Sequence, residues 1–184
     1  MATYIYEMRI ALFGGSFNPP HKSHVAVVKH LIESKNFDEV WIIPCLAHAF
    51  GKKLAPYSDR VTMCRLAFEA IDPQVRVQKT DEEIQNTQGW SILTLRHLHQ
   101  KHPEYEFHWV MGSDLIQEKK RWKNFDEIEK LAKIHPIPRA GYESSSFAQL
   151  SSSQIREKIS KSEALAGIVS PEVEEYIQVK GLYQ

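Results

Sequence analysis

Short apolar runs alternate along the chain with longer segments in which apolar residues recur every three or four positions. The runs predict five strands, at Met8 to Phe13, Val40 to Ile43, Val75 to Val77, Phe107 to Met111 and Ile134 to Ile137. Four consecutive apolar residues at Val40 to Ile43 are typical of a strand that is covered on both faces. Pro136 in the last run predicts an edge strand, because proline cannot donate a ladder hydrogen bond.

The segments between these runs predict loops, helices and helix caps. Residues 45–57, which have no usable periodicity, and the polar residues 81–89 predict loops. Asn18 ahead of two prolines, and Asn124 with Glu127 three residues later, predict helix N-caps. The predicted helices are Lys22 to Ser34, one capped by Ser58 with Val61, Cys64, Phe68 and Ile71 inside, one around Ile92 and Leu95, Asn124 to Leu131, Ser152 or Ser153 to Ile159, and Ser170-Pro171 to Gly181.

This alternation predicts an α/β fold, in one domain over residues 1–184, with a Rossmann-like, doubly wound and mainly parallel sheet. Ligands of such sheets bind at the carboxyl ends of the strands, near the point where the strand order reverses. The residues that follow Phe13, Ile43 and Met111 are therefore where a site is expected.

Composition and charge narrow the function classes. Lys+Arg and Asp+Glu each number 23, so the formal net charge is zero, which argues against a protein that coats nucleic acid or an anionic membrane. The longest apolar stretch, Val40 to Ala47, has eight residues and is too short to cross a bilayer. The first ten residues show no secretion signal, and two cysteines, Cys45 and Cys64, predict reduced thiols in a cytoplasmic protein.

The segment Gly14 to His24, GGSFNPPHKSH, stands where a predicted strand hands over to a predicted helix. Glycines allow a bulky ligand close to the backbone, and a helix N-terminus offers free N–H groups and a positive dipole end to an anion. His21 and His24 are three residues apart, so on a helix they share one face. The string contains no G-x-G-x-x-G pattern, and Gly51-Lys52 does not complete a Walker A loop.

A second string, Ser151-Ser152-Ser153-Gln154-Ile155-Arg156, also stands at a predicted helix start. Three hydroxyls with an arginine one turn later suit a polyanion such as a triphosphate tail. Serine clusters alone usually only cap helices, so the string gains its weight from the first motif.

Together the two strings resemble the signatures of the nicotinate and nicotinamide mononucleotide adenylyltransferases, within the nucleotidyltransferase superfamily. Similar segments follow the family's order along the chain: Met111 to Asp114 with Trp122, Pro138 to Tyr142, and Tyr176 to Tyr183. Four positions depart from the family pattern: Ser23 for Gly, Ala140 for Pro, Leu150 for Ile and Ser153 for Thr.

The resemblance implies roles for individual residues. The catalytic residues would be His21, His24 and Arg156. The ATP site would comprise Gly14, Gly15, Ser16, Phe17, Gly112, Asp114, Ser151, Ser152 and Ser153. The acceptor site would comprise Ser16, Asn18, Lys52, Thr87, Trp90 and Trp122. Mg²⁺ would arrive with ATP, bound by phosphates and water rather than by a protein metal site.

The implied reaction condenses ATP with a pyridine mononucleotide and releases pyrophosphate. A phosphate monoester is mostly ionised at neutral pH, so no general base is required. Nicotinate mononucleotide is the favoured acceptor, with Trp90 or Trp122 stacked on the ring and backbone N–H groups of Thr87 to Trp90 on its carboxylate. Nicotinamide mononucleotide stays an alternative, because Ala49 to Lys53 and Arg60 to Met63 resemble nicotinamide-using relatives.

Other interpretations are weaker on the same residues. Phosphopantetheine could replace the pyridine nucleotide as acceptor, and a non-catalytic nucleotide sensor could keep the pocket. His97, His99, His102 and His108 lack a metal-binding spacing, and Lys119 to Arg121 is too brief for a nucleic-acid surface. The expected partners are ATP and a pyridine mononucleotide, with no nucleic acid and no membrane; a homo-oligomer is left open.

Overall fold

Five strands form a parallel sheet in the order β3-β2-β1-β4-β5. The computed structural model describes residues 8–137, without the side chain of Asp114, and residues 151–184. The strands are β1 (Met8–Gly15), β2 (Glu39–Pro44), β3 (Val75–Val77), β4 (Tyr105–Gly112) and β5 (Lys133–Ile137). The prediction of an α/β fold with a parallel sheet is confirmed, and β5, which contains Pro136, lies at an edge as expected.

Eight α-helices of the described residues connect and cover these strands. They are α1 (Lys22–Glu33), α2 (Tyr57–Phe68), α3 (Thr80–Glu83), α4 (Ser91–Lys101), α5 (Ser113–Gln117), α6 (Phe125–Leu131), α7 (Ser152–Ser160) and α8 (Pro171–Lys180). A short 3₁₀ helix, Lys119–Arg121, links α5 to α6. None of the helices in the described ranges is both long and apolar enough to cross a membrane.

Each face of the sheet packs against its own set of helices, which explains why the strand sequences are apolar without alternation. Ala11, Val40 and Val110 point into a core shared with α1, α2, α7 and α8. Their neighbours along the strands, which include Trp41 and Trp109, point into a second core shared with α4 and α6.

The strand order reverses between β1 and β4. The chain runs from β1 outward through β2 to β3, and then returns to place β4 on the other side of β1. The connections that follow β1 and β4 therefore run in opposite directions, and they leave a crevice at the carboxyl ends of these two strands.

Two predicted caps, Asn18 and Ser58, are wrong, and the predicted capping box at Asn124 does not form, although Asn124 is the N-cap of α6 as predicted. Asn18 does not cap α1, since its amide is buried against a neighbouring loop and the N-cap is His21. Glu127 does not close a capping box with Asn124, because it forms a two-bond ion pair with Arg96. Ser58 lies inside α2, which begins after Pro56.

Candidate active site

An open cleft lies where the loop after β1 meets the N-terminus of α7. The loop before α2 forms its third wall. The residues that line it are Ser16, Asn18, Lys52, Lys53, Leu54, Ser151, Ser152, Ser153 and Arg156. Seven of these nine were predicted as site residues from the sequence, so motifs more than 100 residues apart share one cleft. Hydroxyl, ammonium and guanidinium groups dominate its walls, a donor set suited to phosphate oxygens.

Direct hydrogen bonds join the two sequence motifs. Arg156 donates from Nη1 to the backbone carbonyl of Asn18 (2.8 Å) and from Nη2 to the hydroxyl of Ser153 (3.1 Å). The hydroxyl of Ser152 donates to the carbonyl of Pro19 (3.0 Å). Ser151 is the N-cap of α7, one residue earlier than predicted, and its hydroxyl accepts from the backbone N–H of Gln154 (3.3 Å). The start of α7 is therefore fixed against the loop that leads into α1.

The two histidines of the first motif lie side by side at the start of α1. Their ring centroids are 3.8 Å apart, and Nδ1 of His24 accepts a hydrogen bond from the backbone N–H of His21 (3.2 Å). A neutral His24 with an accepting Nδ1 carries its proton on Nε2, where it can donate to an anion. Burial lowers the pKa of His21 to about 4, so this imidazole is neutral at pH 7 and also offers a single N–H.

Aromatic packing explains the two glycines at the end of β1. A Cβ atom on Gly14 would lie 2.9 Å from Cζ2 of Trp109, and one on Gly15 would lie 3.0 Å from the ring of Phe17. Phe17 is itself buried and adopts a left-handed backbone conformation (φ 44°). The glycines thus leave room for rings beneath the loop, a reason that the sequence alone did not reveal.

Asn18 ties the loop after β1 to two distant segments. Its Oδ1 accepts from the backbone N–H of Ala55 (3.0 Å) and from the hydroxyl of Tyr183 (2.9 Å). Tyr183 belongs to the C-terminal segment whose resemblance to the family was noted in the sequence. A second tyrosine of that segment, Tyr176, donates to Asp59 at the start of α2 (2.8 Å). The C-terminal segment therefore helps to fix Asn18 and the start of α2 in position.

Arg60 is a buried structural hub that sequence reasoning missed. Its side chain is 1% exposed and donates to three backbone carbonyls in two loops: Ser16 (2.9 Å) after β1, and Leu46 (3.3 Å) and Ala55 (3.0 Å) between β2 and α2. A buried arginine remains charged, so these carbonyls and nearby carboxylate charge must stabilise it. Through Arg60 the loops that follow β1 and β2 hold a fixed spacing.

A buried polar network extends this scaffold to Trp90. Asp81 accepts from the Thr94 hydroxyl (2.6 Å), from Nδ2 of Asn86 (3.1 Å) and from the backbone N–H of Leu46 (3.3 Å). Asn86 in turn accepts from the N–H of Trp90 and donates to its carbonyl, both at 3.2 Å. Burial raises the pKa of Asp81, while these donors and the nearby Arg60 oppose that rise. The predicted loop 81–89 is thus a rigid element, and its first residues form part of α3.

The remaining predicted site residues are not among those that line the cleft, and the structure describes them only in part. Trp90 and Trp122 both pack partly buried against the core on the α4 side of the sheet, and Thr87 is exposed. Gly112 ends β4, and the side chain of Asp114 lies outside the described residues, as does the Pro138 to Tyr142 segment. The roles assigned to all these residues stay predictions.

Three of the four histidines for which the sequence argued against a metal site lie apart from one another, each beside a glutamate. His97 lies 3.7 Å from Glu83, His102 lies 3.8 Å from Glu104, and His108 lies 2.7 Å from Glu106. Among residues 8–137 and 151–184, no group of three His, Cys, Asp or Glu side chains could hold a metal ion. Both cysteines are free, and burial raises the pKa of the Cys45 thiol to about 11.

Comparison with known proteins places this fold and cleft among nucleotidyltransferases. A model of the cytidylyltransferase-like family matches residues 12–158. A protein of Anaeromyxobacter sp. (strain K), named a probable nicotinate-nucleotide adenylyltransferase, is 36% identical over 95% of this chain and 96% of its own. A protein of Myxococcus xanthus with the same name is 32% identical over 96% of this chain and 95% of its own.

A solved structure shares the fold at lower sequence identity. The nicotinic acid mononucleotide adenylyltransferase of Plasmodium falciparum, complexed with NaAD, superposes with a TM-score of 0.74. It is 20% identical, and the match covers 95% of this chain and 97% of that one.

Proposed function

Because this chain belongs to the cytidylyltransferase-like family, among the nicotinate-nucleotide adenylyltransferases, we propose that it transfers the adenylyl group of ATP to nicotinate mononucleotide. The products are deamido-NAD and pyrophosphate, a step of NAD biosynthesis. The observation that carries the proposal is the convergence of two phosphate-type motifs on one cleft, held by the Arg156 bond to Asn18.

The reaction needs alignment and charge stabilisation more than proton transfer. The acceptor's phosphate oxygen attacks the α-phosphorus of ATP as the bond to the bridging oxygen of pyrophosphate breaks. The attacking phosphate is mostly ionised at pH 7, so it requires no base. Catalysis then depends on holding two polyanions in line and on donors placed where charge develops.

The chain has several such donors. Arg156 lines the cleft from α7 and Lys52 lines its third wall, while His21 and His24 lie together at the start of α1. We assign the histidines and Arg156 to the ATP phosphates, and Lys52 with Ser16 to the acceptor phosphate. Since His21 is neutral, it acts as a hydrogen-bond donor without bringing a full charge of its own.

Mg²⁺ fits this site as a companion of ATP. The described lining of the cleft consists mainly of hydrogen-bond donors, which bind phosphate oxygens and leave the metal to phosphate and water ligands. When bound, the ion neutralises phosphate charge. We also propose that the enzyme acts in the cytoplasm, where its two free thiols stay reduced. A homo-oligomer stays a prediction, which light scattering of the purified chain tests.

Pyrophosphate release with ATP and each candidate acceptor tests the proposed reaction. Nicotinate mononucleotide should give one pyrophosphate per dinucleotide, with the product identified by its mass. The nicotinamide form should react with a lower kcat/KM, and phosphopantetheine should give no product. A tenfold preference for the amide would overturn the choice of acceptor. The absence of pyrophosphate with every acceptor would favour the nucleotide-sensor alternative instead.

A further inference from the structure

The segment Thr87 to Trp90 offers the acceptor's carboxylate few backbone donors. This argument rests on the proposed function, since nicotinate carries the carboxylate and nicotinamide does not. Three of the four N–H groups in that segment already donate within the protein: Thr87 to the Gln85 carbonyl (2.7 Å), Gly89 to the Asn86 carbonyl (3.1 Å) and Trp90 to Asn86 Oδ1 (3.2 Å). This leaves the N–H of Gln88 in the segment, and because a carboxylate that leaves water needs several partners, a further donor would stabilise it.

We propose that Lys123 is a specificity-determining residue, whose ammonium group pairs with the carboxylate of the nicotinate ring. Lys123 lies between the 3₁₀ helix and α6, next to Trp122. Its Nζ atom is 5.2 Å from the centroid of the Trp90 ring. The structure thus brings a cation from a different segment to the tryptophan where the acceptor's ring is expected.

Trp90 is a fixed surface for this contact. Asn86 binds both its N–H and its carbonyl, and Gly89 packs so closely on the preceding loop that a Cβ atom there would lie 2.2 Å from the carbonyl oxygen of Ala47. With the backbone of Trp90 immobilised, an ammonium over its ring has a defined position relative to any base that binds beside it.

The surrounding charges leave Lys123 available to a ligand. Within the described residues it forms no ion pair with a carboxylate, whereas Arg121 is paired with Glu118 (2.6 Å) and lies over the Phe50 ring (4.6 Å). Asp81, the buried carboxylate of the network behind Trp90, already accepts three hydrogen bonds. The free ammonium therefore has no carboxylate partner that the ligand would have to displace in this part of the chain.

Lys123 favours nicotinate over nicotinamide through charge. An exposed cation–π contact is generally weaker than a hydrogen bond between two charged groups. The ammonium thus gains by moving from the indole face to a carboxylate, and it gains little from a neutral amide. Because Lys123 is exposed, screening by water limits the effect, and we expect a discrimination on the order of fivefold.

The test compares kcat/KM for both mononucleotides in the wild type and in Lys123→Met, Lys123→Arg and the control Lys120→Met. Lys120 is an exposed lysine of the 3₁₀ helix, so its substitution by Met removes the same charge from a neighbouring position. Lys123→Met should lose about fivefold with nicotinate mononucleotide and less than twofold with the amide, whereas Lys123→Arg and Lys120→Met should keep the wild-type ratio. The wild-type preference should also weaken as ionic strength rises.

An unchanged ratio in Lys123→Met, or an equal loss with both substrates, would overturn the proposal. An equal change in Lys120→Met would overturn it as well, because the effect would then be one of general charge. Wild-type enzyme that adenylylates neither mononucleotide would refute the proposed function itself, an outcome that the wild-type measurement alone reveals.

Discussion

The guanidinium of Arg156 donates a 2.8 Å hydrogen bond to the backbone carbonyl of Asn18, which lies 138 residues earlier in the chain. The same side chain reaches the Ser153 hydroxyl with its other terminal nitrogen. This geometry requires two nitrogens in one plane, which a guanidinium has and an ammonium lacks. Arg156 therefore holds the two halves of the cleft together and also faces the space between them.

Arg156→Lys should lower kcat/KM by at least tenfold while the fold stays intact. Lysine keeps the charge, but it cannot make both hydrogen bonds and also bind two phosphate oxygens. Steady-state kinetics with circular dichroism checks this expectation. Arg96→Lys is the matched control, since Arg96 also makes a two-bond contact, with Glu127, on the outer surface. If Arg156→Lys has the kinetics of the wild type, Ser151 to Ser153 only cap α7 and do not bind phosphate.

His24→Asn should lower kcat by about 10² with little change in the KM for ATP. Asparagine can place an acceptor near the position of Nδ1, so the bond from the His21 N–H can persist, but the donor at Nε2 is lost. Because charge develops at the α-phosphate in the transition state, that donor should matter for turnover more than for binding. His99→Asn, an exposed position at the end of α4, is the control. Near-normal turnover with poor ATP binding would contradict the assigned role.

Gly14→Ala should destabilise the protein by roughly 1–3 kcal/mol through overpacking. The added methyl would meet the six-membered ring of Trp109 at 2.9 Å. In a Trp109→Phe background those ring atoms are absent, so the same substitution should cost less, and a double-mutant cycle by chemical denaturation measures the difference. If Gly14 served only to admit ligand, the substitution would leave the free energy of unfolding unchanged and weaken ATP binding instead.

The fold was largely predictable because burial on both faces leaves a strong mark on a strand. The five apolar runs correspond to β1 to β5, and Pro136 marked the edge. The short helices α3 and α5 were missed, since four or five residues are too few to show a helical period. The cap at Asn18 was predicted wrongly because its side chain has a tertiary partner, the backbone N–H of Ala55.

The candidate site was predictable as two motifs but not as a scaffold. Nothing in the pattern of α2 distinguishes the buried Arg60 from an exposed helical arginine, because its partners are backbone carbonyls of distant loops. The position of Lys123 beside Trp90 was equally hidden, since the two residues belong to different segments of the chain and only the tertiary fold brings them together. Tertiary contacts between loops leave no periodic signal in the sequence.

The free energy of unfolding should fall as the pH drops from 6.5 to 4, and His21 should account for a large part of the loss. Burial lowers its pKa from 6.5 to about 4 in the folded protein, so between these values the unfolded chain binds the extra proton. The stability is therefore fully present above pH 6.5 and decreases with falling pH. One pKa unit corresponds to about 1.4 kcal/mol, so the contribution of His21 between pH 7.5 and pH 4.5 is roughly 2–3 kcal/mol.

Urea denaturation at those two pH values, in the wild type and in His21→Gln, measures this contribution. Glutamine keeps a polar group at the start of α1 and does not titrate, so the variant should lose roughly 2–3 kcal/mol less than the wild type on acidification. His135, whose pKa is also lowered by burial, remains in both proteins and cancels in the comparison. Identical losses in the two proteins would mean that His21 is already accessible to protons in the folded state, and its role as a neutral donor to phosphate would then have to be abandoned.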